Sequence, residues 1–372
     1  MPTYPTYKLG DVAEIINGKS QKEVVSSQGK YPIYGSGGII GWATGYLCKE
    51  NSTIVGRKGT IDSPIFVNQK FWNIDTAFGI HPSERILPRY LFFFCKSFDF
   101  RSLDKSTTMP SLTKRDLLKI PIPLPPLPTQ HAIVSRIESL FAELDKAEEH
   151  LRTAQQQLKT YRQAVLNHWL NNDDGKWEMV KLGEVIEVKD GTHDTPKYVQ
   201  SGIPFVTQKN ITESGISFSN VQYITEQDHL KFHERSNVAQ NDILIAMIGA
   251  NRGNATIVNT DTIFSIKNVG LLKYAPNVFN NKFLLFYLRS QEAINYIKRQ
   301  SKGGAQEFIG LKELRNFPIT FPPLSEQQRI VKEIESRLSQ TEATEARIAE
   351  SLQQTEALRQ SILKKAFSGE LV

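Results

Sequence analysis

The chain has 372 residues, 40% of them hydrophobic, and its 45 basic and 39 acidic residues leave a formal net charge of +6. This length and hydrophobic content predict two or three domains with buried cores. The most apolar run, residues 90–95, is too short to cross a membrane, and no cationic leader precedes an apolar segment. With only Cys48 and Cys95, both in the first half, the sequence predicts a cytoplasmic protein without a membrane span or structural disulfide.

The chain repeats one sequence frame. The motif KLGDV at 8–12 returns as KLGEV at 181–185, and IPIPLPPL at 120–127 returns as FPITFPPL at 317–324. The offset between the copies is 173 from Lys8 to Lys181 but 197 from Pro121 to Pro318, so their borders match while their interiors differ. A repeated frame around unlike interiors predicts one scaffold that presents two different recognition surfaces.

The first head, residues 1–125, is predicted to mix strands and helices. Short apolar runs such as 53–56 are separated by Gly, Pro and Asn, which is typical of strands joined by turns, and residues 88–97 form a helix. A central helix follows at 126–172, where apolar residues recur at alternating spacings of four and three, the heptad pattern of a coiled coil. Its predicted interface residues are Ile133, Ile137, Leu140, Leu144, Leu151 and Leu158.

The second head, residues 173–320, opens with a polar connector and repeats the mixed pattern, with strands at 243–249 and 255–258 and a helix at 282–299. The C-terminal helix, residues 321–372, starts with a capping box at 325–328. Its heptad pattern is weaker because Glu345 and Arg359 interrupt it. Its predicted interface residues are Ile330, Ile334, Leu338, Ile348, Leu352 and Ile362.

These elements predict an α+β fold, in which two mixed α/β recognition domains are separated by two long antiparallel coiled-coil helices. Each helix of about 40 residues would be roughly 60 Å long. Because the copies follow one another head to tail, the simplest closed arrangement has a pseudo-two-fold axis, with the heads at opposite ends of the helix pair. The alternative is that the two helices are ordinary amphipathic helices packed on separate cores.

Neither copy contains a complete catalytic or cofactor motif. GKS at 18–20 lacks the glycine of a phosphate-binding loop, because Ala13 stands in its place. The proline pairs 125–126 and 322–323 lack the flanking residues of an amino-methyltransferase motif. GTHD at 191–194 has no second histidine at metal-ligand spacing, and no Gly-rich dinucleotide motif follows a strand. We therefore expect no catalytic residue, metal or cofactor on this chain.

Polar and basic residues on Gly-rich turns are the candidates for DNA contact. Residues 56–60 match 249–254 by position in the repeat, with Gly56 in the place of Gly249, and 105–111 match 301–307. Lysines and main-chain amides suit phosphates, whereas Asn, Gln and Arg suit base edges. The predicted DNA-binding residues of the first head are Lys19, Ser36, Arg57, Lys58, Thr60, Lys105, Thr107 and Thr108. Those of the second head are His193, Lys197, Tyr198, Gln208, Lys209, Asn251, Arg252, Asn254, Lys302 and Gln306.

Two features bear on this interpretation. The basic excess permits nucleic-acid binding without requiring it, since many basic proteins bind none. A turn such as 57–60 could equally be a solvated hairpin, and its recurrence at the same place in both copies is what favours a function in binding.

The borders of the repeat resemble those of the specificity subunit of type I restriction-modification enzymes. PPLPTQ at 125–130 and PPLSEQ at 322–327 resemble the Pro-Pro-Leu-x-x-Gln helix entry of that family, and residues 191–205 resemble the opening of one class of its recognition domains. The resemblance covers nearly the whole chain, in the order head, helix, head, helix.

The resemblance implies that each head reads one half of an asymmetric bipartite site in double-stranded DNA, with the helices fixing the gap. It also implies two methyltransferase subunits, which bring S-adenosylmethionine and flip an adenine out of the duplex. Two restriction subunits would bring ATP and Mg. The cofactors therefore belong to partner subunits, and this chain is expected to be a non-catalytic reader.

Two other functions are compatible with the residues alone. The chain could be a two-headed DNA-binding or scaffold subunit of another multi-subunit defence assembly. DNA affinity that falls steeply with salt would distinguish a DNA reader from a protein scaffold. A self-sufficient nuclease or methyltransferase is disfavoured by the missing motifs.

Overall fold

The computed structural model describes residues 4–106, 108–171, 175–304 and 307–372. It divides into two compact units, the first comprising residues 1–153 and 348–372 and the second residues 154–347. Each unit therefore contains one mixed head and a segment of each of two long helices. Two of the predicted DNA-binding residues, Thr107 and Gln306, lie outside the described residues.

The first head alternates short strands with short helices, as predicted. In chain order its elements are β1 (Thr6–Lys8), β2 (Ala13–Asn17), β3 (Tyr31–Gly35), β4 (Gly38–Ala43), β5 (Ser52–Gly56), β6 (Ile65–Val67), β7 (Trp72–Asn73), β8 (Ala77–Pro82), α1 (Pro88–Ser97), α2 (Lys114–Leu118) and β9 (Pro121–Pro123). The long helix α3 (Leu127–Leu170) follows. The predicted helix at 88–97 is confirmed, and Pro88 opens it at the first turn, where a missing N–H costs nothing.

Two sheets build the first head. A four-stranded antiparallel sheet has the order β2-β8-β5-β6, and a three-stranded sheet has the order β4-β3-β7, in which β3 and β7 are parallel. Helix α1 covers the first sheet with Tyr90, Leu91 and Phe94, which share a core with Ile15 and Ile80. Burial of each such side chain stabilises the fold by about 1.5–3 kcal/mol.

The second head has elements of the same kinds. In chain order they are β10 (Met179–Lys181), α4 (Leu182–Val185), β11 (Val188–Asp190), β12 (Ile203–Val206), β13 (Ile211–Thr212), β14 (Gly215–Ile216), β15 (Gln222–Ile224), α5 (Glu226–Ser236), β16 (Ile243–Ala246), β17 (Ala255–Ile257), β18 (Ser265–Ile266), β19 (Val269–Leu272), α6 (Asn281–Leu288), α7 (Gln291–Gln300), α8 (Leu311–Arg315) and β20 (Pro318–Thr320). The second long helix, α9 (Leu324–Ser368), follows.

The sheets of the second head repeat those of the first. The order β11-β19-β16-β17 corresponds to β2-β8-β5-β6, and β15-β12-β18 corresponds to β4-β3-β7, again with one parallel pair. The hairpin of β13 and β14 and the helix α5 are additions. The single helix predicted at 282–299 is wrong: the chain turns at Arg289, and the Ser290 hydroxyl caps a second helix by accepting from Ala293 N.

The repeated motifs at the borders of each head meet in the fold. Strand β1 pairs antiparallel with β9, and β10 pairs in the same way with β20. Next to these strands, Leu9 N donates to Ile120 O at 2.8 Å, and Leu182 N donates to Phe317 O at 2.9 Å. The start of each copy is therefore bonded to its end, which explains why both ends of the frame recur.

A fully buried glutamine anchors α3 to the first head. Gln130 is 0% exposed. Its Oε1 accepts from Leu87 N at 2.8 Å, and its Nε2 donates to Arg85 O at 3.0 Å and Pro125 O at 2.9 Å. One side chain thus satisfies three main-chain groups that burial would otherwise leave unpaired.

The same device anchors α9 to the second head. Gln327 is also 0% exposed. It accepts from Asn280 N at 2.9 Å and donates to Val278 O at 3.0 Å and Pro322 O at 2.9 Å. The Gln of the Pro-Pro-Leu-x-x-Gln motif therefore has the same role in both copies, which is to pair with three main-chain groups of the head.

The two long helices were predicted and are confirmed, with 44 residues in α3 and 45 in α9. Within the first unit, Ile133 of α3 shares a core with Leu363 and Ala366 of α9. Farther along α3, Asp145 contacts Arg359, which lies earlier on α9, so the helices run antiparallel there. In the second unit, Leu166 shares a core with Ile334 and Leu338. All of the predicted interface residues are buried or half-buried. The end of each helix also packs into a head, as the alternative interpretation expected.

The two charged residues that interrupt the heptad pattern of α9 form reciprocal ion pairs. In the second unit, Arg162 of α3 pairs with Glu345 of α9 at 2.9 Å. In the first unit, Arg359 of α9 pairs with Glu148 of α3 at 3.5 Å. Arg162 corresponds to Arg359, and Glu148 to Glu345, in the repeat. The interruptions are therefore paired contacts between the helices.

Candidate nucleic-acid interface

Two of the predicted loops of the first head lie side by side. Gly59 N donates to Pro110 O at 2.9 Å, and Leu112 N donates to Arg57 O at 2.9 Å. Gly59 has a φ of 80°, a conformation that glycine adopts without strain. The turn at 57–60 therefore depends on main-chain bonds to the segment 110–112, which leaves its side chains free to vary.

The other two predicted sites of this head border the same place. A Cβ built on Gly59 would lie 3.8 Å from the Ser36 hydroxyl. Lys19 N donates to Asn73 O at 3.0 Å, while Arg57 N donates to Thr76 O at 2.8 Å. The segment 72–77 thus links the surroundings of Lys19 to those of the 57–60 turn. Residues dispersed over 90 positions of the sequence form one surface, which we call the first loop face (19, 36, 57–60, 105–106 and 108).

The first loop face carries cations that are not neutralised locally. Lys19, Lys58 and Lys105 are exposed and form no ion pair with any other described side chain. Arg57 is more restrained, since its Nη1 donates to Asp75 O at 3.3 Å and its guanidinium lies 5.9 Å from the centroid of the Phe78 ring. Exposed, unpaired lysines on main-chain-anchored turns are suited to phosphate contact.

The carboxylate of Asp104 fixes the conformation of the segment that carries Lys105. Asp104 Oδ1 accepts from Ser106 N at 3.0 Å, Ser106 Oγ at 2.7 Å and Ser111 N at 3.0 Å. These hydrogen bonds favour the ionised form and lower the pKa of Asp104. Asp104 was not among the predicted residues, although its place before a Ser-containing loop is a signal of this kind of turn.

The second head repeats the backbone pattern of the turn. Gly249 N donates to Glu307 O at 2.9 Å, and Gly249 has a φ of 76°. Gly59 therefore corresponds to Gly249, a shift of three residues from the match made on sequence. By this correspondence Arg57 and Lys58 occupy the places of the apolar residues Met247 and Ile248. The backbone of the turn therefore recurs in the second head, whereas its two charges do not.

The charged residues of this second turn are held by neighbours. The Arg252 side chain is 14% exposed, its Nη1 donates to Gly249 O at 3.1 Å, and its Nη2 pairs with Glu307. Lys302 Nζ pairs with Glu313 at 2.6 Å. Asn251 is exposed, and Asn254 is half-buried. The turn therefore presents an amide, while its arginine is largely enclosed.

A polar network surrounds His193. Its Nε2 lies 3.0 Å from Asp190 Oδ2, and its Nδ1 lies 2.7 Å from Asn268 Oδ1. Asp190, only 8% exposed, also pairs with Arg235 at 2.6 Å. The imidazole is 60% exposed, so the network fixes its orientation while leaving its edge accessible.

The remaining predicted residues of this head lie near the same sheet edge. Gln208 and Lys209 follow β12, and Lys267 follows β18, which runs parallel to β12. Lys267 Nζ donates to Thr195 Oγ1 at 2.6 Å, which links the edge to the segment holding Lys197 and Tyr198.

The same edge also borders the 247–254 turn. Strand β19 begins opposite Ala246, the last residue of β16, so Asn268 lies beside the start of the turn. We call this surface the second loop face (193–198, 208–209, 247–254 and 267–268). Lys267 and Asn268 were missed because only the fold brings them near His193. The αL conformation of Asn268, with a φ of 52°, is a signal that a sequence does not display.

A family model described as the type I restriction modification DNA specificity domain matches residues 1–153 and 174–354. The chain belongs to this family. It is a specificity subunit, which recognises DNA sequence and is not a catalytic component.

Curated relatives of this specificity subunit match most of its length. The EcoBI specificity subunit of Escherichia coli is 26% identical over 380 residues, covering 92% of this chain and 78% of that protein. The MjaVIII specificity subunit of Methanocaldococcus jannaschii is 24% identical over 361 residues, covering 88% and 84%.

Solved structures share the fold of the specificity subunit. A chain from a structure concerned with complex assembly and conformational transition of the type I restriction-modification system aligns with a TM-score of 0.74 at 20% identity, covering 100% of this chain and 99% of that one. The HsdS subunit of Thermoanaerobacter tengcongensis aligns with a TM-score of 0.51 at 20% identity, covering 100% and 98%.

Other chemistry in the specificity subunit is limited. Cys48 and Cys95 are buried and free, and burial raises the pKa of each thiol to about 12, so neither is an effective nucleophile near neutral pH. Among the described residues, no three His, Cys, Asp or Glu side chains group in a way that could hold a metal ion. No helix in the described ranges is long and apolar enough to cross a membrane.

Proposed function

We propose that this specificity subunit recognises an asymmetric bipartite site in double-stranded DNA, one half with each head. The observation that supports this most is that both heads have the same sheets and the same Gly-centred turn but different side chains on their loop faces. A site made of two unlike half-sequences is the natural target of two unlike faces on one frame.

The two faces would use different contacts. On the first loop face, Lys19, Lys58 and Lys105 would neutralise phosphates, while Ser36, Thr60 and Thr108 would reach groove atoms. On the second loop face, the oriented His193 edge, Gln208 and Asn251 would contact base edges, and Lys197 and Lys209 would contact phosphates.

The domain roles follow the proposed reading. Residues 1–125 and 173–320 would be the two target recognition domains, and residues 126–172 and 321–372 the two conserved helices. A helix of 44 residues extends about 66 Å, at about 1.5 Å per residue. Paired helices of this length that enter both units would hold the heads at a set spacing, so the gap between half-sites would be fixed.

The expected partners are two methyltransferase subunits and two restriction subunits. The solved relative with the TM-score of 0.74 comes from a structure concerned with the assembly of a type I complex, which supports partner binding for this chain as well. S-adenosylmethionine would be bound by the methyltransferase subunits, and ATP with Mg by the restriction subunits. This chain would bind none of them for catalysis.

The experiment is methylation mapping of DNA from cells that express this chain with the methyltransferase encoded beside it. We expect N6-methyladenine at a split, asymmetric motif, present only when the chain is present. Exchange of residues 57–60 and 105–111 for those of a relative should change one half of the motif only. A change in both halves, or no new methylation beside an intact methyltransferase, would contradict the proposal.

A further inference from the structure

A cavity of about 530 Å³ lies within the second unit, and its lining includes Arg252 and Asn254, two residues of the second loop face that the DNA contacts proposed above do not use. Arg162 of α3, Arg252 of the 247–254 turn and Arg289 at the end of α6 line it. Its volume falls within the range of pockets that hold small molecules. DNA recognition as proposed here assigns no role to this cavity.

The polar atoms of the lining are incompletely paired. The Nε atoms of Arg162, Arg252 and Arg289 are buried and have no hydrogen-bond partner among the described residues, and the same holds for Gln163 Oε1. Buried donors in proteins are nearly always paired, because an unpaired one loses its hydration without compensation. The acceptor atoms that would pair these three donors are therefore not supplied by the described residues.

The charge of two of these arginines is balanced by the protein. Arg162 pairs with Glu213 at 3.0 Å and with Glu345 at 2.9 Å, and Arg252 pairs with Glu307. These carboxylates occupy the terminal nitrogens and leave the Nε atoms unused. Their role is to orient the guanidinium groups.

The charge of the third arginine is not balanced in this way. Arg289 forms no ion pair with a described carboxylate, and its Nη2 donates to the carbonyl oxygens of Glu213 at 2.6 Å and Ala255 at 3.0 Å. Burial lowers the pKa of Arg289, the direction expected of a cation removed from water. Glu342 also lines the cavity, but it is exposed, so water screens its charge.

One part of the cavity wall is apolar, with Leu166, Ile297 and Leu338 among its residues, and the first unit shows what closes the corresponding place. Leu338 lines the cavity and corresponds to Phe141 in the repeat. In the first unit, the Phe141 ring packs against Phe93 with centroids 5.8 Å apart, and Arg359, the counterpart of Arg162, lies 5.3 Å from the Phe141 centroid. The first unit therefore holds an aromatic ring beside Arg359, whereas the second unit has open space at the corresponding place beside Arg162.

We propose that this cavity binds a small phosphate-bearing molecule. Guanidinium groups present several fixed N–H donors that match the tetrahedral oxygens of a phosphate, and they do so best where water is excluded. An uncharged amide oxygen, Gln163 Oε1, would accept from a hydroxyl or amine of the same ligand. The source of the phosphate is either the free ion or an organic monoester whose body packs on the apolar walls.

Isothermal titration calorimetry of the full-length chain tests the proposal, with adenosine monophosphate, inorganic phosphate and adenosine as the three probes. If the phosphate is carried by an organic body, the monoester binds with a Kd on the order of 10–100 µM and at least ten times more tightly than inorganic phosphate. Equal affinity for the two identifies the free ion as the ligand. In either case adenosine does not bind.

The variant Leu338→Phe introduces the residue of the first unit and places a ring beside Arg162, where it would overlap the bound ligand, so it should weaken phosphate binding at least tenfold. Phe141→Leu makes the opposite change in the first unit and should leave binding intact. Arg289→Gln removes the least neutralised cation and should also weaken binding, with folding checked by circular dichroism. The proposal is overturned if neither phosphate probe binds at about 10 mM. It is also overturned if adenosine binds as well as its monophosphate, or if folded Leu338→Phe and Arg289→Gln both bind like the parent chain.

Discussion

The two heads differ in what they present much more than in how they are built. The turn at Gly59 and the turn at Gly249 are each fixed by main-chain hydrogen bonds to a following segment, and those bonds do not depend on side chains. The first turn then carries Arg57 and Lys58 where the second carries Met247 and Ile248. The comparison teaches that recognition residues can be replaced freely when the backbone alone fixes the turn.

The contacts between each head and the long helices are made by particular side chains, and these contacts recur in both copies. Gln130 and Gln327 each pair with three main-chain groups and recur without change. Arg89 pairs with Glu138 in the first unit as Lys282 pairs with Glu335 in the second. The buried glutamines recur unchanged and this exposed ion pair recurs with a different cation, whereas the charges of the two turns do not recur.

The largest expected effect tests the equivalence of the two anchors. Gln130→Ala and Gln327→Ala should each lower the free energy of unfolding by about 3 kcal/mol, because each leaves three buried main-chain groups unpaired. Urea denaturation followed by circular dichroism would measure both losses. Gln328→Ala, at an exposed position beside Gln327, should change stability little. A loss in only one of the two anchor variants would break the equivalence.

The reciprocal ion pairs between the helices should stabilise the fold to a similar extent. Arg359→Met removes contacts to Asp145, Glu148 and the Phe141 ring, and Arg162→Met removes contacts to Glu213 and Glu345. Each variant should lower the melting temperature by about 2–4 °C, since both guanidinium groups are mostly enclosed. Differential scanning calorimetry of both variants in low and high salt would measure the change in melting temperature. Unchanged melting in both variants would mean that the interruptions in the heptad pattern are tolerated rather than used.

The contrast between the turns can be measured on DNA. Lys58→Ala should weaken binding to the cognate duplex about three- to tenfold and reduce the slope of log affinity against log salt by about one, because one phosphate contact is lost. Ile248→Ala, at the matching position of the second head, should leave that slope unchanged. Equal salt slopes for the two variants would remove Lys58 from the interface.

The smallest effect concerns the shape of the first loop face. Hydrogen bonds from Ser106 lower the pKa of Asp104, so the folded chain holds this proton less tightly than the unfolded chain. The resulting stabilisation is complete above the ordinary carboxyl pKa, near 4, and is lost as the pH falls through the lower folded-state value. Asp104→Asn should therefore melt earlier than the parent at pH 7, with the difference closing below about pH 4. A difference that persists in acid would exclude this role.

Much of the fold could be predicted from sequence because the repeat compares the chain with itself. The KLG and Pro-Pro-Leu motifs marked the borders of the heads, and heptad spacing predicted both long helices. Heptad spacing predicted the interface residues less well where two apolar residues are adjacent. It predicted Ile362, which is half-buried, whereas the adjacent Leu363 is 1% exposed. Neighbouring apolar residues on a helix are separated by about 100°, and packing decides which one faces the core.

The loop faces were harder to predict. Sequence matching aligned Gly249 with Gly56, since both begin a Gly-rich turn, and only the hydrogen bonds identify Gly59 as the counterpart. Lys267 and Asn268 lie about 75 positions from His193 and reach it through a parallel strand pairing. Composition shows which residues could contact DNA, whereas strand register determines which of them share a surface.

The pairing of β1 with β9 and of β10 with β20 has a consequence for how this protein can change over generations. Each head enters and leaves the frame through adjacent strands, so it is a cassette whose two ends lie together. A genetic exchange within the two conserved border motifs would replace an entire head and leave the frame bonds intact. New target sequences could then arise by exchange of whole heads. Each new protein would keep an intact core in both heads, whereas point mutations within a core would destabilise the head that carries them.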